Sequence, residues 1–90
     1  MSYRLLIEEK AVTEINTLNK KDRERIKKKI REILINDPLP GGKGDIKKII
    51  DSDFWRLRVG DYRVFYDVEP EDKMVYILSI RHRSKAYRDL

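Results

Sequence analysis

The segment Phe54-Trp55-Arg56-Leu57-Arg58-Val59-Gly60-Asp61-Tyr62-Arg63-Val64-Phe65-Tyr66 constrains the fold more than any other part of the chain. Two alternating runs flank Gly60-Asp61, a pair suited to a two-residue primed hairpin turn. Such a turn predicts that Val59 faces Tyr62, Arg58 faces Arg63, Leu57 faces Val64 and Arg56 faces Phe65. Side chains alternate along a strand, so Trp55, Leu57, Val59, Tyr62, Val64 and Tyr66 share the face that belongs in a core. The other face carries Arg56, Arg58, Arg63 and Phe65. Like charges opposed across strands destabilise a sheet by a few tenths to about 1 kcal/mol. Two facing arginines therefore point to an anionic ligand, for which phosphate is the natural choice. The plainer alternative is a solvated face, partly balanced by Asp53 and Asp67.

The remaining elements follow in order. Tyr3 to Glu8 reads as a first strand. Ala11, Ile15 and Leu18 form one apolar stripe on a helix over residues 9–18. Asn19 is placed to end that helix and cap the next, with Asp22 three residues later. The second helix is expected from about Lys20 to Ile35, with Ile26, Ile30, Ile33 and Leu34 as its buried stripe, and Asn36-Asp37-Pro38 as its stop. This makes a helical hairpin with one apolar side. The glycine-containing stretch Leu39 to Asp45 does not match a phosphate-binding loop, because Lys43 is followed by glycine, so it reads as a connector. Residues 46–50 lead into the hairpin as a short strand or turn. Past the acidic turn Glu69-Pro70-Glu71-Asp72, Met74 to Arg81 reads as a strand with apolar residues on both faces, expected to be central. Strict alternation puts Met74, Tyr76, Leu78 and Ile80 on one face and Val75, Ile77, Ser79 and Arg81 on the other.

Charge narrows the partners. The 90 residues carry a formal net charge of +5 with 41% charged side chains, which fits one domain that meets nucleic acid, an anionic surface or an acidic protein. Cysteine is absent and histidine occurs once, which excludes disulfides and Cys-ligated zinc and disfavours other zinc sites. No apolar run is long enough to span a bilayer and no signal core is evident, so a cytoplasmic location is expected. The second helix concentrates Lys20, Lys21, Arg23, Arg25, Lys27, Lys28, Lys29 and Arg31 against Asp22, Glu24 and Glu32. It reads either as a solvated face or as a surface for polyphosphate.

Arginines, tyrosine and histidine without a clustered acid pair suit phosphate chemistry that needs no metal. The arginine fork matches phosphate oxygens and stays charged at any biological pH. Phe65 and Tyr87 are of a type that stacks on bases of a single strand. RNA supplies its own nucleophile, the 2′-hydroxyl, so orienting it and stabilising the pentavalent phosphorane would suffice for cleavage. Arginine cannot normally accept a proton, which leaves His82 or Tyr87 as base. Strict alternation places His82 on the core side, as a structural histidine, unless the strand ends near Arg81. Tyr87 reads equally as a surface aromatic or a packing anchor.

The hairpin from Trp55 to Tyr66, together with the ending Arg81-His82-Arg83-Ser84-Lys85-Ala86-Tyr87, resembles the RelE-like toxins of bacterial and archaeal toxin–antitoxin systems. With the first strand and the Lys27-Lys28-Lys29 helix in matching order, the resemblance spans nearly the whole chain. The hairpin is shared with the related ParE toxins, and the ending discriminates between them. The resemblance implies a single α+β domain over residues 1–90: a small twisted antiparallel sheet, made of the first strand and a C-terminal meander, packed on the N-terminal helical hairpin. It implies a ribosome-dependent, metal-independent endoribonuclease with no cofactor, which cuts mRNA in the ribosomal A site by 2′-hydroxyl attack and so inhibits translation. By the same resemblance Arg63 matches the arginine that stabilises the transition-state phosphate. Arg81 matches a second catalytic arginine at the leaving oxygen, and Tyr87 the tyrosine that orients or stacks the substrate. Arg56 and Arg58 stand where the RelE pattern carries lysines. Arg58 joins the catalytic group as a phosphate clamp, and Arg56, Phe65, His82, Arg83, Lys27, Lys28 and Lys29 are the expected RNA contacts. Implied partners are a RelB-like antitoxin, the ribosome with its RNA, and mRNA, with no membrane. The competing readings are a ParE-like inhibitor of DNA gyrase and a non-catalytic basic module that binds RNA or protein.

Overall fold

The computed structural model describes residues 2–86. Its elements are β1 (Arg4–Ile7), α1 (Glu9–Asn16), α2 (Lys20–Lys29), β2 (Ile46–Lys48), β3 (Trp55–Val59), β4 (Tyr62–Glu69) and β5 (Met74–His82). Asn19 starts α2 as its spacing predicts: its side chain accepts from the Asp22 backbone N–H at 2.8 Å, and its amide donates to the Asp22 carboxylate at 3.2 Å. The α-helix stops at Lys29, earlier than expected, and continues as a π-helical turn over Ile30–Leu34. Ile30, Ile33 and Leu34 are all buried in this turn.

The strands form one sheet in the order β1-β5-β4-β3-β2. The hairpin register is the one the Gly60-Asp61 turn requires, pairing Trp55 with Tyr66 through Val59 with Tyr62. Gly60 has φ +57° and Asp61 is not among the positive-φ residues, the pattern of a type II′ turn. One feature corrects the expected antiparallel sheet. β1 runs parallel to β5, pairing Arg4 with Met74 through Ile7 with Ile77. Parallel partners need a long crossover, and the helical hairpin and the meander lie between these two strands. β4 holds the middle of the sheet, with β5 beside it rather than at the centre.

A second correction concerns the phase of β5. Tyr66 pairs with Ile77 but Phe65 pairs with Ser79, so Leu78 is an extra residue, a β-bulge. Before the bulge Val75 and Ile77 enter the core, and after it Ile80 does. Strict alternation would have grouped Arg81 with Val75 and Ile77. The bulge lets the strand bury all three aliphatic residues while Arg81 emerges on the opposite face.

Both helices cover the face formed by Leu57, Val59, Val64, Tyr66, Val75, Ile77 and Ile80, against which Ala11, Ile15, Ile26, Ile30, Ile33 and Leu34 pack. Tyr66 is fully buried, and its hydroxyl donates to the Pro38 carbonyl at 2.6 Å. Gly44 brings the connector against this layer so closely that a Cβ there would lie 2.5 Å from Ile33 Cγ2 and 3.1 Å from Leu57 Cδ1. Beyond the end of β1, the β5 edge is met by α1: the Ile80 backbone N–H donates to Glu14 Oε1 at 3.0 Å. Among the described residues no helix is long and apolar enough to cross a membrane.

Candidate functional site

The two strand registers together line up Arg58, Arg63 and Arg81. Arg58 is opposite Arg63 across β3 and β4, and Arg63 is opposite Arg81 across β4 and β5. The three therefore form one row across the sheet, on the face turned away from the helices. The Arg58 N–H donates to the Asp45 carbonyl at 3.0 Å, on the β2 side. This makes Arg58–Arg63 a non-hydrogen-bonded pair, the type whose Cα atoms approach to about 4.5 Å. Arg58 is exposed, while Arg63 and Arg81 are half-buried.

Each partly buried arginine is held by its strand. Arg63 Nη1 donates to the Gly60 and Tyr62 carbonyls at 3.0 and 3.1 Å, folding the side chain over the turn. Arg81 Nε donates to Ser79 Oγ at 3.0 Å. Arg83 follows β5 in a short 3₁₀ turn (Arg83–Lys85). Its backbone N–H donates to the Asp61 carbonyl at 2.7 Å, and its guanidinium stands 3.8 Å from the Asp61 carboxylate, both side chains well exposed. An exposed pair at that distance contributes little to stability.

Other predicted contacts are arranged differently. Arg56 and Phe65 share the outward parity of the row, yet they are 6% and 1% exposed. Arg56 pairs with the Asp45 carboxylate at 3.3 Å, and its Nε is buried without a hydrogen-bond partner. The expectation that both meet RNA is thus revised. Paired with each other and with Ser79 across the strands, they belong to a buried row beside the arginines, and neither presents an open surface to a base. His82 pairs with Tyr62 on the helix side of the sheet, as alternation after the bulge requires, with ring centroids 5.5 Å apart and planes at 89°. It is exposed rather than a core histidine, because β5 ends there. Its Nδ1 accepts from the Ser84 N–H at 3.2 Å, capping the 3₁₀ turn, which leaves Nε2 to carry the proton of the neutral ring. The Tyr62 hydroxyl donates to Asp22 at 3.3 Å. Burial first, and the nearby Asp22 carboxylate second, push its pKa up, so it serves as a donor and not as a base. Tyr87 lies outside the described residues.

Lys27, Lys28 and Lys29 occupy the last turn of α2, just ahead of the π-helical turn. Lys28 and Lys29 share Glu32 at 3.9 and 4.0 Å, and Lys27 is half-buried. The helices lie on the far face of the sheet, so these lysines do not join the arginine row. Two contributors carried no signal in the spacing. Ser79 holds Arg81, and Glu14, 65 residues earlier, accepts from the Ser79 hydroxyl at 2.9 Å. Among the described residues, no group of His, Asp and Glu gathers as a metal site.

The fold agrees with comparisons to known proteins. A family model described as the ParE toxin of type II toxin–antitoxin systems matches residues 5–87. Over 90 residues the chain is 31% identical to the putative toxin RelE1 of Methanocaldococcus jannaschii, covering 99% of both chains. Over 91 residues it is 32% identical to the mRNA interferase toxin RelE of Escherichia coli, covering 99% of this chain and 94% of that one. Among solved structures, the archaeal RelE–RelB complex from Pyrococcus horikoshii superposes with a TM-score of 0.79 at 36% identity, covering 96% of this chain and all of the matched one. A chain that matches the ParE-toxin model over nearly its full length, and RelE proteins in both sequence and fold, belongs to that toxin family and is a RelE-like toxin of a type II toxin–antitoxin pair.

Proposed function

We propose that this toxin is a ribosome-dependent endoribonuclease that cuts mRNA in the ribosomal A site and so stops translation. The observation that carries this reading is the single row Arg58–Arg63–Arg81, three cations aligned across adjacent strands. A row of that kind matches the geometry and charge of a phosphate-bearing ligand. The name mRNA interferase, borne by the E. coli relative, supports RNA as that anion.

In this reading the substrate's 2′-oxygen attacks the adjacent phosphorus. The P–O2′ bond forms, the P–O5′ bond breaks, one proton leaves the 2′-hydroxyl and one arrives on O5′. The reaction needs no metal, because the arginines supply the positive charge. Arg63, braced on the turn, stabilises the charge that grows on the non-bridging oxygens. Arg81 meets the leaving O5′, Arg58 clamps a phosphate from the exposed end of the row, and Tyr87 orients or stacks the substrate. The proton acceptor is a group other than these arginines. Lys27, Lys28, Lys29 and their neighbours on α2 dock on ribosomal RNA from the opposite side of the molecule, while Arg83 and His82 border the substrate path at the sheet end. A RelB-like antitoxin binds the toxin and blocks its site, a reading supported by the RelE–RelB complexes among the similar structures.

Mapping mRNA ends after induction tests the proposal. Cuts within translated reading frames, together with relief of growth arrest by folded Arg63→Ala and Arg81→Ala variants, are expected. If both variants remain as toxic as the parent, the assigned site is wrong. The match to the ParE model favours one second reading, gyrase inhibition, for which induction would damage DNA and leave mRNA intact.

A further inference from the structure

We propose that Glu14 and Ser79 are positioning residues, which aim the guanidinium of Arg81 through a directional hydrogen-bond relay. The proposal rests on the reading of Arg81 as part of the cleavage site. Arg81 Nε donates to Ser79 Oγ at 3.0 Å. Ser79 Oγ lies 2.9 and 3.1 Å from the two Glu14 carboxylate oxygens. Glu14 Oε1 also accepts from the Ile80 N–H at 3.0 Å.

Proton counting gives the relay its direction. A serine hydroxyl has one proton to donate and lone pairs with which to accept. Arg81 Nε–H can only donate, and an ionised carboxylate can only accept. Ser79 therefore accepts from Arg81 and gives its proton to Glu14, and no other arrangement satisfies all three groups. Ser79 is 3% exposed, so water does not offer its hydroxyl an easy alternative. A guanidinium is planar, so holding its Nε–H toward Ser79, with Cδ set by the strand, restricts the plane in which both Nη groups lie. That plane decides whether the fork meets a phosphate with two bonds or one.

Backbone satisfaction alone does not account for the arrangement. The Ile80 N–H needs an acceptor because β1 has ended by Ile77, and Glu14 provides it. This requirement explains one bond from one carboxylate oxygen. It does not call for a serine at position 79, nor for Arg81 to be bound to that serine. The Leu78 bulge completes the arrangement, since it turns Ser79 and Arg81 together onto the face opposite Val75 and Ile77.

Ser79→Ala is the informative variant because it removes the relay and leaves the Ile80–Glu14 bond in place. On programmed ribosomes, Ser79→Ala is expected to lower the single-turnover cleavage rate at saturation by about 10- to 100-fold, with little change in half-saturation, as misalignment of a catalytic group does. The same change made in an Arg81→Ala background should have no further effect. Glu14→Gln retains one carbonyl oxygen for both donors and should stay within about threefold of the parent, whereas Glu14→Ala should fall as Ser79→Ala does. The NMR signal of the Arg81 Nε–H should shift and exchange faster with solvent in Ser79→Ala. An unchanged Nε–H signal would overturn the relay, and so would an equal rate loss with and without Arg81. A parent toxin that leaves mRNA intact would overturn the cleavage reading, and an Arg81→Ala variant that cleaves like the parent would overturn the place of Arg81 in the site; in both cases the Nε–H signal still decides the relay.

Discussion

Replacing Arg58 by threonine is expected to stabilise the fold while it impairs function. Arg58 faces Arg63 directly, and Arg81 is the next residue in the row. Two unit charges taken about 7 Å apart in water repel by about 0.6 kcal/mol, and a third taken at about 11 Å adds about 0.4 kcal/mol, which sets the scale for such a row. A Debye length of about 30 Å at about 0.01 M salt preserves most of this, and one of about 3 Å at 1 M removes nearly all of it. The charge-dependent gain is thus about 0.7 kcal/mol at low salt, equivalent to about 3–6 °C in Tm for a domain of this size. Threonine's preference for strands adds a salt-independent amount. The informative quantity is therefore how far the Tm gap between variant and parent closes from low to high salt. Arg58→Lys, which keeps the charge, should show no such closure. Thermal unfolding followed by circular dichroism in the two salts measures both. A gap that salt leaves unchanged, or a lysine variant that behaves like the threonine one, would refute the view that the row is under electrostatic strain. The same threonine variant should cleave mRNA more slowly, the usual exchange of stability for activity at a functional site.

Burial raises the pKa of the Tyr66 hydroxyl well above its usual value, with Asp37 adding to the rise and Arg56 opposing it. The folded state therefore holds the phenol proton more tightly than the unfolded one, so its stabilisation is complete below about pH 10 and is lost as pH rises further. Tyr66→Phe should cost about 1–3 kcal/mol at neutral pH, by leaving the Pro38 carbonyl unpaired. It should also flatten the alkaline loss of stability in urea titrations. Gly44→Ala should destabilise by about 1–3 kcal/mol through overpacking against Ile33 and Leu57, seen as a lower urea midpoint with an unchanged slope. Lys28→Ala and Lys29→Ala should each weaken binding to ribosomal RNA and reduce the log–log salt slope by about 0.7–0.9, the share of one phosphate contact.

The parts of this fold that were legible from residues alone are those with local causes. Gly60-Asp61 dictates the hairpin register, so the opposition of Arg58 and Arg63 could be read before any coordinates. Asn19 and the spacing of Ile26, Ile30 and Ile33 mark α2 in the same way. Hidden features depend on contacts between distant segments. Alternation in β1 does not say whether its partner runs parallel. The bulge at Leu78 has no compositional mark, since Tyr76 to Arg81 looks like an ordinary alternating strand. Parity put Arg56 and Phe65 among the exposed arginines, but it carries no information about Asp45, which draws Arg56 into a buried ion pair. Glu14 occupies an unremarkable helix position beside Ile15, and only the packing of α1 on β5 brings it to Ser79.

The extra residue at Leu78 gives β5 two reading frames. β4 pairs with β5 on both sides of the bulge while β1 pairs with the first half, and a single residue of chain length separates the two frames. Deleting one residue there would merge the frames. Either Val75 and Ile77 would keep their places and pull Arg81 into the apolar layer, or Arg81 would hold its row and turn them out to water. A change of length in the connector around Gly41 and Gly42, where both residues are exposed, has no such effect on the arginines. Under the proposed cleavage site, a change of length alone would therefore abolish activity, with every arginine of the row still present in the chain.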